Sequence, residues 1–305
     1  MDVAVSGASG LIGTALVTEL ESHGHRVRRL VRRPPAGRGE VRWDPVRGEI
    51  DTAALQGVDA AVHLAGESIG AKLRWNADHK RHILRSRTDG TTLLAGALAG
   101  LDPRPAVLVS GSAVGWYGDR GDETLTEDSP SPAGTAADGF LADVCRQWEA
   151  ATAPAAAAGI RVVHVRTGIV LDRREGVFPR LLLPARLGLG ARFGGGRQYM
   201  SWITLADEVA AIRHVLETPG IVGPVNLTAP HPVTNSELVR ALGRVLHRPA
   251  VLTVPAFAVR AGLGEAGREL LLSGQRVLPQ RLTESGFAFA HPDLEPAMRA
   301  VLDRD

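Results

Sequence analysis

Residues 6–13 constrain this chain more than any other stretch. They read Ser-Gly-Ala-Ser-Gly-Leu-Ile-Gly, set between a short apolar run, Val3–Val5, and a segment, Leu11–Leu20, whose apolar residues recur at helical spacing. In a strand-turn-helix setting the three glycines have separate tasks. Gly7 permits the tight turn, Gly10 lets backbone approach a pyrophosphate, and Gly13 lets helix and strand pack closely. The N–H groups at the start of the helix then face the phosphates, with Ser9, Leu11 and Ile12 completing the stretch that would carry them. Three spaced glycines by themselves are weak evidence, and a glycine-rich turn that holds no phosphate has the same composition. The strand before and the helix after make this a dinucleotide-binding signature.

The order of the following segments extends that reading. Val27–Val31 is a second strand and closes a βαβ unit. Asp59–Leu64 and Ala106–Ser110 repeat the strand pattern, separated by a helical stretch around Arg81–Ala99, and Ile160–Val165 follows an alanine-rich helix. Such alternation predicts an α/β fold with a Rossmann-type, doubly wound parallel sheet, its ligands at the carboxyl ends of the strands. Beyond about Val170 the alternation weakens, and Gly-rich stretches such as 187–196 interrupt it. Val209–Leu216 and Glu237–Leu246 read as helices and Pro224–Leu227 as a short strand, with further helices near Leu270 and Met298. The expected organisation is a nucleotide-binding domain over 1–170 with a return segment near 205–230. A smaller, discontinuous C-terminal substrate lobe, ending in a helical region, covers 171–305.

Composition narrows the function classes. A chain of 305 residues, 44% hydrophobic, can bury a large core, yet no run approaches the roughly 18 consecutive apolar residues of a membrane span. A cytoplasmic protein is expected. The single cysteine, Cys145, excludes an internal disulfide and leaves no thiolate cluster for zinc, so no metal is expected. Basic and acidic residues number 35 and 33, and no aromatic-basic stripe accompanies clusters such as Arg28, Arg29, Arg32 and Arg33. The expected partner is a small molecule rather than nucleic acid or membrane; the oligomeric state is left open.

At the end of the second strand a free ribose meets Asp or Glu, whereas a 2′-phosphate prefers arginine. Here the residues are Leu30-Val31-Arg32-Arg33, and a planar guanidinium grips phosphate oxygens through two donors. NADP(H) is therefore expected over NAD(H), against the alternative that these are solvated surface arginines.

The glycine spacing, together with Val62-His63-Leu64-Ala65-Gly66 and Ser112-Ala113-Val114-Gly115-Trp116-Tyr117-Gly118, resembles the extended short-chain dehydrogenases/reductases. Over nearly the whole chain it resembles one atypical, epimerase-like branch, which includes the human family 39U and bacterial nucleoside-diphosphate-sugar epimerase homologues. The stretches that carry this likeness include LAGESI (64–69), RTGIVL (166–171), RQYMSWI (197–203), NLTAP (226–230) and GQRVLPQRL (274–282). The resemblance implies NADP(H) contacts at Val31 and Arg32, at Leu64 and Ala65 with the adjoining Gly66, at Arg87 and at Val170. One departure is Thr204, where related chains carry His.

The same resemblance implies a catalytic Tyr with a Lys four residues later, the lysine lowering the phenol's pKa. No such pair exists here. Gly121 stands four residues after Tyr117 and Ile203 four after Tyr199, and the family positions fall near Phe140 or Leu141 and Val144 or Cys145. Ser112 stands where the family's serine orients a substrate oxygen, and a turn-forming serine is the alternative. Tyr117 is the candidate replacement phenol. Cys145 reads as a small buried hydrophobe, His63 as the end of a buried strand, and His79 and His82 as part of a solvated, charge-rich helix face. Substrate contacts are expected from Glu67, near the nicotinamide edge, and from Arg197, Gln198, Ser201 and Trp202 in the second lobe. A core position for Trp202 and a surface ion pair for Arg197 are the competing readings.

Overall fold

The parallel sheet at the centre follows from strands that are apolar on both faces. In a computed structural model, which describes residues 1–37, 39–72 and 74–303, β1 (Asp2–Ser6) is buried at every position, as a strand covered on both sides requires. After it come α1 (Leu11–Ser22), β2 (Arg26–Val31), β3 (Glu40–Asp44), β4 (Glu49–Ile50), β5 (Ala60–His63), α2 (Ala77–Ala99), β6 (Val107–Ala113) and α3 (Phe140–Ala150). Further on, β7 (Arg161–Thr167), α4 (Leu205–Glu217) and β8 (Gly223–Leu227) rejoin the same sheet. Its order is β8-β7-β6-β5-β1-β2-β3-β4, and every pairing is parallel except β3 with β4. This is the Rossmann-type sheet that the alternation predicts.

Each face carries its own core. Leu16, Val17 and Leu20 of α1 and Val209, Ile212 and Val215 of α4 pack with Val3, Val5 and Val62 on one side. Leu94 and Leu98 of α2 pack with Ala4, Ala61 and Leu108 on the other. The chain leaves β1 toward β2 and β3, then crosses back to β5 on β1's opposite side, so a crevice opens between the ends of β1 and β5. β3 is absent from the sequence reading. Its residues Glu40-Val-Arg-Trp-Asp alternate with period two, and only Val41 and Trp43 are fully buried, so three polar residues mask a strand near the sheet edge.

A third core, built around Phe178, Leu182, Trp202, Leu238, Leu242 and Met298, holds the smaller lobe together. None of the helices among the described residues is long and apolar enough to cross a membrane.

Candidate functional site: the crevice between the first and fifth strands

The glycine loop separates demands made by the protein from demands made by something else. Gly7 has φ +69°, and a Cβ there would lie 2.8 Å from the carbonyl carbon of Leu64 at the end of β5. A Cβ on Gly13 would lie 2.0 Å from the Gly7 carbonyl oxygen. Both glycines are therefore required for the turn to close. Gly10 is different: a Cβ would meet only the Gly7 oxygen, at 3.4 Å, so the protein alone tolerates a side chain there. Gly10 is also the N-cap of α1, with no side-chain cap and no acidic residue in the first turn, so the helix presents bare N–H groups to the crevice. This cradle fits a pyrophosphate.

The crevice is rigid at its base. Ser6 Oγ lies 2.6 Å from His63 Nδ1 and accepts from the Leu64 N–H at 3.2 Å, tying the ends of β1 and β5 together. His63 is fully buried, and burial pushes its pKa down to about 4, so the ring stays neutral. It ends a buried strand, as its sequence context suggests.

At the end of β2 the two arginines have different fates. Arg33 makes a bidentate ion pair with Glu40 of β3, whose carboxylate also accepts from the Ala36 N–H at 2.6 Å; the Arg33 bond first, and that N–H second, hold its pKa at about 2. Arg32, next to Val31, is exposed and makes no side-chain hydrogen bond or ion pair among the described residues. One guanidinium is committed and one is available.

At the end of β5, Leu64 and Ala65 are half-buried and Gly66 is exposed. Below Gly66 lies Arg87 of α2, only 7% exposed, and a Cβ on Gly66 would stand 3.3 Å from its guanidinium carbon. Arg87 donates to the Ile83 carbonyl at 3.0 Å and rests over the Trp148 ring, but no carboxylate among the described residues pairs with it. Burial lowers its pKa. A buried cation without a counter-ion is costly, and an anion bound at this edge would offset that cost. Glu67 follows, exposed, its N–H donating to Ser86 Oγ at 3.0 Å.

A cavity of about 630 Å³ opens beside the loop, lined at one end by Ser9, Gly10 and Leu11 and at the other by Leu171–Glu175 and His291. Val170 precedes that wall, on a short strand, Ile169–Leu171, paired with Trp202–Thr204. The other expected site residues lie outside this cavity.

The expected chemical residues are distributed unlike the sequence reading. Tyr117 is fully buried; its hydroxyl donates to Asn226 Oδ1 at 2.7 Å and accepts from Arg166 at 3.0 Å, and burial raises its pKa. It cannot meet a ligand in the crevice. Ser112 sits on β6 itself, not in a turn, and donates its proton to Glu149 of α3 at 2.7 Å. Arg166 of β7 holds Glu149 through two donors at 2.8 and 2.9 Å. Sequence reasoning missed Glu149 and noted Arg166 only inside RTGIVL, because these partners meet across 17 to 49 residues of chain. Cys145 is buried, and its pKa rises to about 12, chiefly through desolvation.

The second-lobe expectations need correction. Trp202 is fully buried in the third core and its ring N–H donates to the His231 carbonyl, so the core reading holds. Ser201 is buried and donates to the Gln275 carbonyl at 2.7 Å, and Gln198 donates to the Phe193 and Leu271 carbonyls. These three side chains brace the lobe. Arg197 is exposed. His79 is also corrected: it is 1% exposed rather than solvated, because it turns inward from the first turn of α2, which Asn76 caps.

An open parallel sheet with a glycine-rich turn at its crevice defines a dinucleotide-binding α/β protein. The chain belongs to the NAD dependent epimerase/dehydratase family, which it matches over residues 3–226, and residues 254–301 match a domain of unknown function, DUF1731. It is 47% identical to an epimerase family protein of Mycobacterium bovis over 97% of this chain and 96% of that one. The crystal structure of human epimerase family protein SDR39U1 with NADPH superposes with a TM-score of 0.89 at 35% identity, covering 99% of both chains. A Corynebacterium glutamicum nucleoside-diphosphate sugar epimerase superposes with a TM-score of 0.80 at 37% identity, covering 98% of this chain and 57% of that one.

Proposed function

We propose that this protein binds NADP(H) at the crevice between β1 and β5 and acts as an oxidoreductase or epimerase-like enzyme on a small polar carbonyl or hydroxyl compound. The observation that carries the reading is Gly10, a glycine that leaves space the protein itself does not fill, at the head of an uncapped helix. Arg32 would take the 2′-phosphate, the first turn of α1 the pyrophosphate, and Leu64, Ala65, Gly66 and Val170 would line the remainder. Arg87 would supply positive charge from beneath Gly66. The human relative solved with NADPH supports the choice of cofactor. When bound, that cofactor supplies or takes up a hydride.

What the chain adds to the chemistry is modest. Ser112 donates its only proton to Glu149, so toward a ligand its oxygen is an acceptor, suited to a substrate hydroxyl. Neither position of the family's Tyr and Lys holds an ionisable group except Cys145, and that thiol is buried and protonated. This favours a second reading, a non-catalytic NADPH-binding sensor or scaffold. Titration calorimetry with NADPH and NADH, followed by NADPH oxidation across a panel of carbonyl compounds, separates the two. NADPH binding with turnover supports the enzyme, binding without turnover the sensor, and failure to bind either cofactor overturns both.

A further inference from the structure

Two stretches of this chain are its longest without an acidic residue. Between Glu175 and Asp207, and again between Glu237 and Glu265, there is no Asp or Glu, while each stretch carries four arginines; the chain as a whole has 33 acidic residues. The fold brings the two together. Ala191–Phe193 pairs in parallel with Leu252–Val254, Arg248 donates to the Arg186 carbonyl at 3.1 Å, and Cβ atoms on Gly188 and Gly190 would stand 3.5 and 3.4 Å from Pro249 and Ala250.

The surface they share is apolar as well as basic. Leu183, Leu187, Leu189, Val251, Leu252 and Phe257 are six of the ten large hydrophobic side chains left exposed among the described residues, with Val251 81% and Phe257 74% exposed. Around them Arg186, Arg240 and Arg260 have no hydrogen-bonded or ionic partner among the described residues, and Arg248 contacts only carbonyl oxygens. Arg244 holds Glu295 at the rim. A shallow basin between Arg240, Arg244, His247, Arg248 and Val251 indents the face.

We propose that this face of the small lobe is a docking surface for an acidic protein segment bearing apolar side chains. Exposed apolar side chains in one contiguous patch mark an interaction site. Arginine with an aromatic anchor is the composition of interface hot spots, and a guanidinium grips a carboxylate through two bonds. A second copy meeting the face symmetrically would set arginine against arginine, with Glu295 at the rim already held by Arg244. Nucleic acid would leave the six hydrophobic side chains without a role. The six side chains come from two helices, the loops beside them and a short strand, with Val251 lining the basin, whereas a membrane surface takes the flat face of an amphipathic helix. The proposal does not depend on the cofactor reading.

The test is selection from a random dodecapeptide display library on the full-length protein, followed by binding measurements on synthetic versions of the winners. Selected peptides should combine Asp or Glu with Leu or Phe. Phe257→Ser and Arg240→Glu should each weaken them by about tenfold or more, as should raised salt, while NADPH affinity and thermal unfolding stay at parent values. Selection without an acidic, apolar consensus would overturn the proposal, as would consensus peptides that bind both variants as tightly as the parent. It would also be overturned if Phe257→Ser abolished dimerisation in ultracentrifugation, or abolished cosedimentation with phosphatidylcholine vesicles containing one third phosphatidylglycerol.

Discussion

On the proposed reading, cofactor preference rests on one guanidinium of an adjacent pair, and substituting each in turn isolates it. Arg33 is already saturated by Glu40, whereas Arg32 has free donors at the end of β2. A charge-assisted hydrogen bond contributes about 1.5–3 kcal/mol, which is roughly 10- to 100-fold in affinity. Arg32 is exposed, so screening places it toward the lower end, and the effect grows as salt is removed. Arg32→Ala should therefore weaken NADPH binding about tenfold near physiological ionic strength and leave NADH almost unchanged, and Arg32→Asp should erase or invert the preference. Arg33→Ala removes an exposed ion pair and no phosphate contact, so its effect on NADPH should stay below about fivefold. Calorimetric dissociation constants for both cofactors at two salt concentrations decide the matter. If Arg33→Ala costs as much as Arg32→Ala, or the parent binds the two cofactors equally, the reasoning is wrong.

Gly10→Val should abolish NADPH binding with thermal unfolding close to the parent's, whereas Gly13→Ala should fail to fold, since its Cβ would sit 2.0 Å from a carbonyl oxygen; a well-folded, NADPH-binding Gly10→Val would remove the loop from the site. Tyr117→Phe leaves Asn226 and Arg166 each short of a buried partner and should cost about 1–3 kcal/mol of stability in denaturant unfolding, with little direct effect on any turnover. Ser112→Ala, measured at saturating NADPH, should lower any turnover more than it weakens cofactor binding; equal rates for it and the parent would exclude Ser112 from the chemistry. Glu208 is wholly buried, with its pKa pushed up to about 8 by desolvation against one hydrogen bond from Thr167. Between the ordinary carboxyl range and about pH 8 the folded state therefore holds a proton that the unfolded state has released, and stability falls as pH rises through that window, by about 5 kcal/mol in all. Glu208→Gln should flatten this component of the unfolding profile, and an unchanged slope would show that Glu208 is not its source.

The sequence by itself determined the architecture and the glycine turn at the head of α1. Strand burial and helical spacing are short-range properties, so β1, the loop and α1 are legible from the eighteen residues Val3–Leu20, and the alternation that follows points to a parallel, doubly wound sheet. Even there local pattern has a limit: β3 carries charge at alternate positions, which masks it as a strand and hides the partner of Arg33. Tertiary structure alone decided which arginine is free, because Glu40 arrives from that neighbouring strand. It also decided that Tyr117 and Ser112 bond to Asn226 and Glu149, 109 and 37 residues away, and that Trp202 is core. A side chain's type and spacing fix what it can donate or accept. Which partner it meets depends on how distant strands and helices come to lie side by side, and no local pattern encodes that. The acid-free stretches were visible in the sequence from the start, yet only the pairing of Ala191–Phe193 with Leu252–Val254 turns two separate runs of arginine and leucine into one surface.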